Sequence, residues 1–235
     1  MLAKANEDDK VRVIVITGAE RGFCVGADSQ ALEGHVSKGG YDPGTPDPLA
    51  EPGFGVRQEF DASFAYHFGL KKPVIAAING PAAGVGLVLA CYADIRFAVP
   101  SVKFTTAHGK LNFPAEYGLS WLLPRLIGLT RANDLLLTSR VFSSDEAFDM
   151  GMINRLVEPE RLLAETYAYA KQMKETISPA SLRETKWQIY TDQHRDVGDS
   201  VAASEKLLLE MSRHRDYEEG VAAFLEKRKP NWSGE

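Results

Sequence analysis

Two runs of apolar residues rich in Val and Ile divide the first part of the chain. They cover residues 11–17 (VRVIVIT) and 73–79 (PVIAAIN), and such runs are typical of parallel strands buried on both faces. Each run leads into a glycine-bearing turn: residues 21–28 (RGFCVGAD) form the first turn and residues 79–86 (NGPAAGVG) the second turn. The pattern predicts two buried strands, each joined to a helix through small residues.

The chain between the two runs has a mixed pattern. Residues 34–55 are rich in Gly and Pro, which predicts a long irregular loop. Phe60, Phe64 and Phe68 then recur at every fourth position, which predicts one apolar face of a helix over residues 56–69. We therefore expect a loop that leads into an amphipathic helix.

Strand and helix patterns alternate as far as Val157, after which only helical patterns remain. Ser143 and Glu146 have the spacing of a capping box, which predicts a helix start after Ser143. The alternation predicts an α/β domain with a mainly parallel sheet at residues 1–158 and a helical domain at 159–235. The other predicted strands are 94–98, 102–105 and 152–157, and the other predicted helices are 28–32, 87–91, 120–127, 131–137, 160–174, 180–191, 198–213 and 217–227.

Composition narrows the class of partner. The 235 residues carry 27 Lys and Arg against 32 Asp and Glu, a net charge of −5, without the basic stripe of a nucleic-acid-binding protein. The longest apolar stretch, residues 74–93, is broken by Asn, Gly and Pro, so we expect no membrane span. Two cysteines, histidines without metal-ligand spacing and a charged N-terminus predict a cytoplasmic protein without a metal site.

The first and second turns are the main candidates for chemistry. Each joins a strand to the start of a helix, where backbone N–H groups lack partners within the helix and can face an anionic oxygen. Two such turns side by side would form an oxyanion hole. Close packing of strand against helix is the other interpretation of the same small residues, and the pattern leaves both open.

Four stretches of the chain resemble the enoyl-CoA hydratase/isomerase (crotonase) family, in the order in which that family has them. The resemblance implies an α/β fold with a crotonase-like ββα spiral core, followed by a C-terminal helical domain that assembles homotrimers or dimers of trimers. It implies an acyl-CoA substrate, as in fatty acid metabolism, and no cofactor, since coenzyme A is part of the substrate. The stretches are VRVIVITGAERGFCVGAD (11–28), KPVIAAINGPAAGVGLVLACYADIRFA (72–98), KFTTAHGKLNFPAEYGLSWLLPRLIG (103–128) and GVAAFLEKRKPNW (220–232).

The resemblance also implies roles for single residues. The backbone N–H groups of Ala27 and Val85 match the donors that hold the thioester oxygen. Val85 stands where many members have Gly, and it would be strained if its φ were positive. Residues implied to contact the substrate or CoA are Phe23, Cys24, Gly26, Asp28, Gly84, Phe224 and Lys227. For two of them another role is open: Asp28 could cap the following helix, and Lys227 could be part of a solvated helix end.

The acid/base residues depart from those of the family's hydratases. Those enzymes use two glutamates, and the matching positions here hold Val88 and His108. Glu116 matches a position where several isomerases and the dehalogenase branch carry an aspartate, and its apolar neighbours predict a raised pKa suited to proton transfer. Helix capping is the alternative for Glu116, and a structural role is the alternative for His108, the second candidate catalytic residue.

A single carboxylate suits double-bond isomerisation better than hydration, so an isomerase-like proton transfer through Glu116 is the favoured hypothesis. Two other hypotheses stay open: a different crotonase reaction, such as C–C bond hydrolysis or dehalogenation with His108, and a non-catalytic acyl-CoA-binding protein. Nothing before Val11 matches the family's opening strands, so we expect a sheet with an incompletely covered edge.

Overall fold

The computed structural model describes residues 1–26, 29–39 and 56–234. The strands in these ranges are β1 (Ile14–Thr17), β2 (Val74–Ile78), β3 (Ala82–Ala83), β4 (Ile95–Ala98), β5 (Lys103–Thr105), β6 (Phe142–Ser143) and β7 (Arg155–Leu156). They form a four-stranded sheet in the order β1-β2-β4-β7 and a three-stranded sheet in the order β3-β5-β6.

The centre of the larger sheet is parallel and buried. β2 pairs with β4 and β4 with β7, with Ile75 opposite Ile95 and Phe97 opposite Arg155. Every residue of β2 is buried, as its uninterrupted apolar run predicts. In the smaller sheet β3 and β5 are parallel, whereas β5 and β6 are antiparallel. The predicted α/β architecture with a mainly parallel sheet is therefore confirmed.

The first strand is shorter and more exposed than its sequence predicts. β1 begins at Ile14 and not at Val11, and Ile14 is its only buried residue. Among the described residues, β1 lies at one end of the strand order and has a neighbouring strand on one side only, so its side chains receive less cover than those of β2. The prediction of a fully buried strand is wrong here.

The helices predicted after residue 80 are present, and their ends differ from the prediction by at most two residues. The Oγ of Ser143 accepts a hydrogen bond from the N–H of Glu146 at 3.1 Å, which confirms the predicted cap. The helices of the described ranges are α1 (Leu2–Glu7), α2 (Ser29–Lys38), α3 (Tyr66–Gly69), α4 (Val85–Cys91), α5 (Leu119–Ile127), α6 (Leu129–Thr138), α7 (Ser144–Asp149), α8 (Leu162–Thr176), α9 (Pro179–Thr191), α10 (Val197–Met211) and α11 (Arg215–Glu226).

The helix predicted over residues 56–69 is wrong. That segment contains only a 3₁₀ turn at Gln58–Phe60 and the short helix α3. Phe64 has a left-handed backbone with φ of 61°, which interrupts the hydrogen bonds of a helix. Its ring packs against Tyr117 with 4.7 Å between ring centroids, a tertiary contact that local spacing cannot reveal.

The Gly/Pro-rich loop predicted for residues 34–55 begins later than expected. α2 continues to Lys38, because a helix tolerates an isolated glycine such as Gly34. Residues 40–55, which make up most of that prediction, lie outside the described residues.

The chain divides into two compact units. The strand unit comprises Val15–His67 and Val74–Thr166, and it holds β2 to β7 together with β1 from Val15 onward. The helical unit comprises Met1–Ile14, Phe68–Pro73 and Tyr167–Glu235.

Three side chains join the three segments of the helical unit by hydrogen bonds. The Nζ of Lys186 donates to the carbonyl oxygen of Lys72 at 3.0 Å, and the indole nitrogen of Trp187 donates to that of Gly69 at 3.0 Å. The Nζ of Lys72 in turn donates to the carbonyl oxygen of Ala5 at 2.9 Å, which attaches α1. The domain boundary after residue 158 stays a prediction.

Candidate active site

The first and second turns lie side by side in the strand unit. The N–H groups of Phe23 and Cys24 donate to the carbonyl oxygen of Pro81 at 3.1 and 3.3 Å, and the N–H of Ala83 donates to that of Cys24 at 3.0 Å. A Cβ on Gly86 would lie 1.8 Å from the carbonyl oxygen of Cys24, so only glycine lets α4 approach the first turn this closely. Close packing therefore explains Gly86.

The second turn also contains the candidate oxyanion donor, the N–H of Val85. Val85 is the first residue of α4, so the helix offers this N–H no acceptor. The positive φ of the turn, 52°, falls on Gly84, so the strain considered for Val85 is absent. A Cβ on Gly26 of the first turn would lie 4.0 Å from the nitrogen of Val85. Ala27 and Asp28, which follow Gly26, lie outside the described residues.

One asparagine that the sequence pattern did not single out links the second turn to the residues just before the first turn. The Oδ1 of Asn79 accepts from the N–H of Gly18 at 2.9 Å, and its Nδ2 donates to the carbonyl oxygen of Glu20 at 2.8 Å. Its side chain thus satisfies backbone groups that follow the neighbouring strand. An Asn directly after a buried strand is the signal that could have identified it.

The carboxyl group of Glu116 lies beside the second turn. Its Oε2 is 3.7 Å from the position that a Cβ on Gly84 would occupy. The following helix, α5, has Gly118 as its N-cap and no side-chain cap, so Glu116 does not cap it. Burial raises the pKa of Glu116 above its ordinary value, and the charge of His108 offsets part of that rise.

His108 is carried to this region by the segment after β5. The N–H of Gly84 donates to the carbonyl oxygen of Thr105 at 3.1 Å, which ties the second turn to the end of β5. The ring of His108 is buried, and its Nδ1 has no hydrogen-bond partner. Because its charge also acts on Glu116, the structure brings the two candidate acid/base groups within electrostatic reach of each other.

Ser139, at the end of α6, supports the segment that carries His108. Its Oγ accepts from the N–H of Gly109 at 3.0 Å and from the hydroxyl of Thr106 at 3.1 Å. Ser139 has a left-handed backbone, with φ of 46°, where α6 ends. Nothing in the local sequence distinguishes Ser139 from other serines at helix ends, so its role emerges only from the fold.

The remaining predicted contact residues are divided between the two units. In the strand unit Phe23 is buried, Cys24 is partly exposed, and Val88 is fully buried. In the helical unit Phe224 is 83 % exposed, and Lys227 is an exposed residue with φ of 53° that ends α11. The contribution of Phe224 and Lys227 to CoA binding stays a prediction.

Two searches of residues 1–26, 29–39 and 56–234 are negative. In these ranges no three His, Cys, Asp or Glu side chains lie close enough together to hold a metal ion. Nor does any helix there have the length and apolar character needed to cross a membrane.

Comparisons with known proteins identify the family of the chain. The family model described as enoyl-CoA hydratase/isomerase matches residues 1–235. The chain is 34 % identical over 233 residues to the 1,2-epoxyphenylacetyl-CoA isomerase of Escherichia coli (strain K12), covering 99 % of this chain and 85 % of that protein. It is 37 % identical over 236 residues to a probable enoyl-CoA hydratase of Mycobacterium tuberculosis (strain H37Rv), covering 97 % and 79 %.

A solved structure extends the comparison to the fold. The crystal structure of a probable enoyl-CoA hydratase/isomerase from Mycobacterium abscessus matches with a TM-score of 0.85 at 29 % identity, covering 100 % of this chain and 86 % of that one. The chain therefore belongs to the enoyl-CoA hydratase/isomerase family and has the crotonase fold. It is an enzyme of the lyase or isomerase type.

Proposed function

We propose that this enzyme moves a double bond within an acyl-CoA thioester, with Glu116 as the acid/base group. The observation that carries this proposal is the position of the Glu116 carboxyl, 3.7 Å from the site of a Cβ on Gly84, beside the candidate donor Val85. A base at this point would face a thioester whose oxygen accepts a hydrogen bond from the N–H of Val85. One relative is named as the isomerase of another CoA thioester, 1,2-epoxyphenylacetyl-CoA, so isomerase chemistry of some kind occurs among the relatives.

The proposed reaction needs only these groups. The carboxylate of Glu116 removes a proton from C2 of a 3-enoyl-CoA, and the C–H electron pair forms the enolate of the thioester. The N–H groups of Val85 and Ala27 stabilise the negative oxygen, a contribution of about 2.7–4 kcal/mol per donor in other enzymes. Glu116 then returns the same proton to C4, which leaves the 2-enoyl-CoA and regenerates the carboxylate.

The surroundings of Glu116 favour this chemistry over hydration. Addition of water needs one group to deprotonate it and another to protonate the α-carbon. Val88, where the family's hydratases have one of their glutamates, is buried and has no ionisable group. Burial raises the pKa of Glu116, which makes its carboxylate a stronger base for the proton at C2.

The test is turnover of trans-3-hexenoyl-CoA, followed by the ultraviolet absorbance of the conjugated product. We expect Glu116→Gln to lower the rate about 10²- to 10⁴-fold. Glu175→Gln, which changes a partly exposed glutamate on α8, is the matched control and should keep the full rate. The assignment of Glu116 as the acid/base group would be rejected if Glu116→Gln kept the full isomerisation rate. Hydration of crotonyl-CoA that does not depend on Glu116 would also reject it.

His108 supports a second candidate, a crotonase reaction in which an imidazole activates water, as in C–C bond hydrolysis or dehalogenation. The observation that favours it is the buried Nδ1 without a hydrogen-bond partner. His108→Gln separates the two proposals: isomerisation that depends on Glu116 but not on His108 favours the first. Hydrolytic turnover of a 1,3-diketo acyl-CoA or a chloroaryl-CoA that is lost in His108→Gln favours the second.

The helical unit supports a proposal about assembly. Five exposed Leu, Val and Phe side chains of α10 and α11 line a groove of about 920 Å³ within this unit. Contiguous exposed apolar surface marks interfaces between proteins. We therefore propose that the chain forms a homotrimer or a dimer of trimers through these side chains. We also propose cytoplasmic action on acyl-CoA without a further cofactor, with Phe224 and Lys227 at the CoA moiety. The five side chains are Leu208, Leu209, Val221, Phe224 and Leu225.

A further inference from the structure

Tyr92 lies at the end of α4 that is opposite the candidate oxyanion donor. It follows Cys91 directly, and its side chain is buried. Its hydroxyl donates to the carbonyl oxygen of Tyr117 at 2.7 Å. Burial raises the pKa of the Tyr92 phenol, so the hydroxyl stays protonated and able to donate across the neutral pH range. The acceptor, Tyr117, is the residue after Glu116.

The peptide that accepts this hydrogen bond has an unfavourable conformation. Tyr117 has φ of 46° and ψ of 41°, and the next residue, Gly118, has φ of 75°. A left-handed conformation costs about 1–2 kcal/mol for a residue with a side chain, so surrounding contacts must hold Tyr117 in it. A Cβ on Gly118 would lie 2.9 Å from the Tyr92 hydroxyl, so only glycine at this position lets the hydroxyl approach the backbone this closely.

Helix α4 thus contacts the Glu116 segment at both ends. At its start, the position of a Cβ on Gly84 is 3.7 Å from the Glu116 carboxyl. At its end, Tyr92 holds the peptide that follows Glu116. We propose that Tyr92 is a positioning residue, whose hydroxyl sets the separation between the Glu116 carboxyl and the N–H of Val85. This inference rests on the proposed function of Glu116.

The ring of Tyr92 has a separate role in packing. It lies 6.1 Å from Phe64, whose ring lies 4.7 Å from that of Tyr117, with distances measured between ring centroids. Tyr92→Phe keeps this ring and removes only the hydroxyl, so it tests the hydrogen bond without emptying the aromatic cluster.

The control is a variant that also loses one buried hydroxyl hydrogen bond, at a residue outside the two turns. Thr166 is fully buried in α8, and its hydroxyl donates to the carbonyl oxygen of Leu162 at 2.8 Å. Thr166→Val removes one buried hydroxyl bond with almost no change in shape. Both variants should lose a similar amount of thermal stability, since each loses one hydrogen bond.

Isomerisation kinetics distinguish positioning from stability. We expect Tyr92→Phe to lower kcat about 10- to 100-fold with KM changed less than threefold, because a displaced base slows proton transfer without weakening substrate binding. Thr166→Val should leave both parameters near those of the unmodified enzyme. Equal kinetics for the two variants would overturn the proposal, as would a loss in Tyr92→Phe that appears only in KM.

A double variant links the effect to Glu116. If Tyr92 acts through Glu116, Tyr92→Phe should lower the residual rate of Glu116→Gln no further. A 10- to 100-fold further loss would mean that Tyr92 acts elsewhere, and it would overturn the inference while leaving the proposed function intact. Full activity of Glu116→Gln would instead reject the proposed function, so the two failures are distinguishable.

Discussion

Glu116 shows how a tertiary environment changes the chemistry of one residue. Its carboxyl lies among apolar neighbours beside the second turn, and burial raises its pKa despite the opposing charge of His108. The apolar sequence around Glu116 predicts this direction, whereas the closeness of His108 depends on how the segment after β5 returns to the turn. A group with a raised folded-state pKa also changes how stability depends on pH.

We predict that Glu116→Gln is more stable than the unmodified protein at neutral pH. The folded-state pKa of this carboxyl is raised. Its favourable contribution to the free energy of unfolding is therefore present in acid, and it is lost as pH rises from about 4.5 through the folded-state pKa. Thermal melting from pH 4 to pH 8 should show a gap between the two proteins that opens as pH rises.

Glu175→Gln is a control in which the pKa shift of the carboxyl has the opposite sign. The hydrogen bond from Lys229 lowers the pKa of Glu175, so this carboxylate contributes stability above its ordinary pKa and loses it in acid. The Gln variant should therefore be the less stable protein at neutral pH, with a gap that closes as pH falls. Parallel pH profiles for both substitutions would contradict the assignment of burial as the cause at Glu116.

At the scale of elements, the first turn and α4 form one packed junction. The turn contributes backbone groups, and α4 approaches them so closely that Gly86 has no space for a side chain. Asn79 satisfies backbone groups of the residues that follow β1. The close approach at Gly86 therefore places α4, and with it the candidate donor Val85, against the first turn.

The junction makes Gly86→Ala a test of close approach. Its Cβ would lie 1.8 Å from the carbonyl oxygen of Cys24, and we expect a loss of about 3 kcal/mol or more in the free energy of unfolding. Gly34→Ala is the matched control on α2, where a Cβ meets nothing within 4 Å. It should gain about 0.5–1 kcal/mol from higher helix propensity. Urea unfolding measures both, and equal effects would contradict the packing described for α4.

At the scale of the whole molecule, the two units carry different parts of the proposed function. The strand unit contains the candidate donor and acid/base groups, whereas the helical unit exposes apolar side chains on α10 and α11. Family membership and the TM-score of 0.85 extend over the entire chain, so both units belong to the crotonase fold.

We predict that Leu209→Glu dissociates the proposed oligomer. Leu209 is 67 % exposed on α10, and a charge buried there at an interface would lack a partner. Leu137→Glu, on α6 and 83 % exposed, is the control for a charge on an exposed leucine elsewhere. Light scattering after size-exclusion chromatography should give a monomer only for Leu209→Glu. A chain that is monomeric before any substitution would refute the assembly proposal.

The sequence by itself determined the central strand β2, the helices after residue 80 and the cap at Ser143, because each depends on neighbouring residues. It also located the two turns from the glycines that follow two apolar runs. These features follow from periodicity, propensity and local hydrogen bonding, which act over a few residues. Glu116 was singled out differently, by its match to a position of a family motif.

Tertiary structure alone decided the rest. Phe64 adopts a left-handed backbone at a position where spacing predicts a helix, and its ring lies against Tyr117. β1 is largely unburied because it lies at one end of the strand order. Tyr92, whose hydroxyl holds the peptide after Glu116, carries no local signal. Such contacts join residues far apart in the chain, and their free energy arises only when the packed fold brings them together.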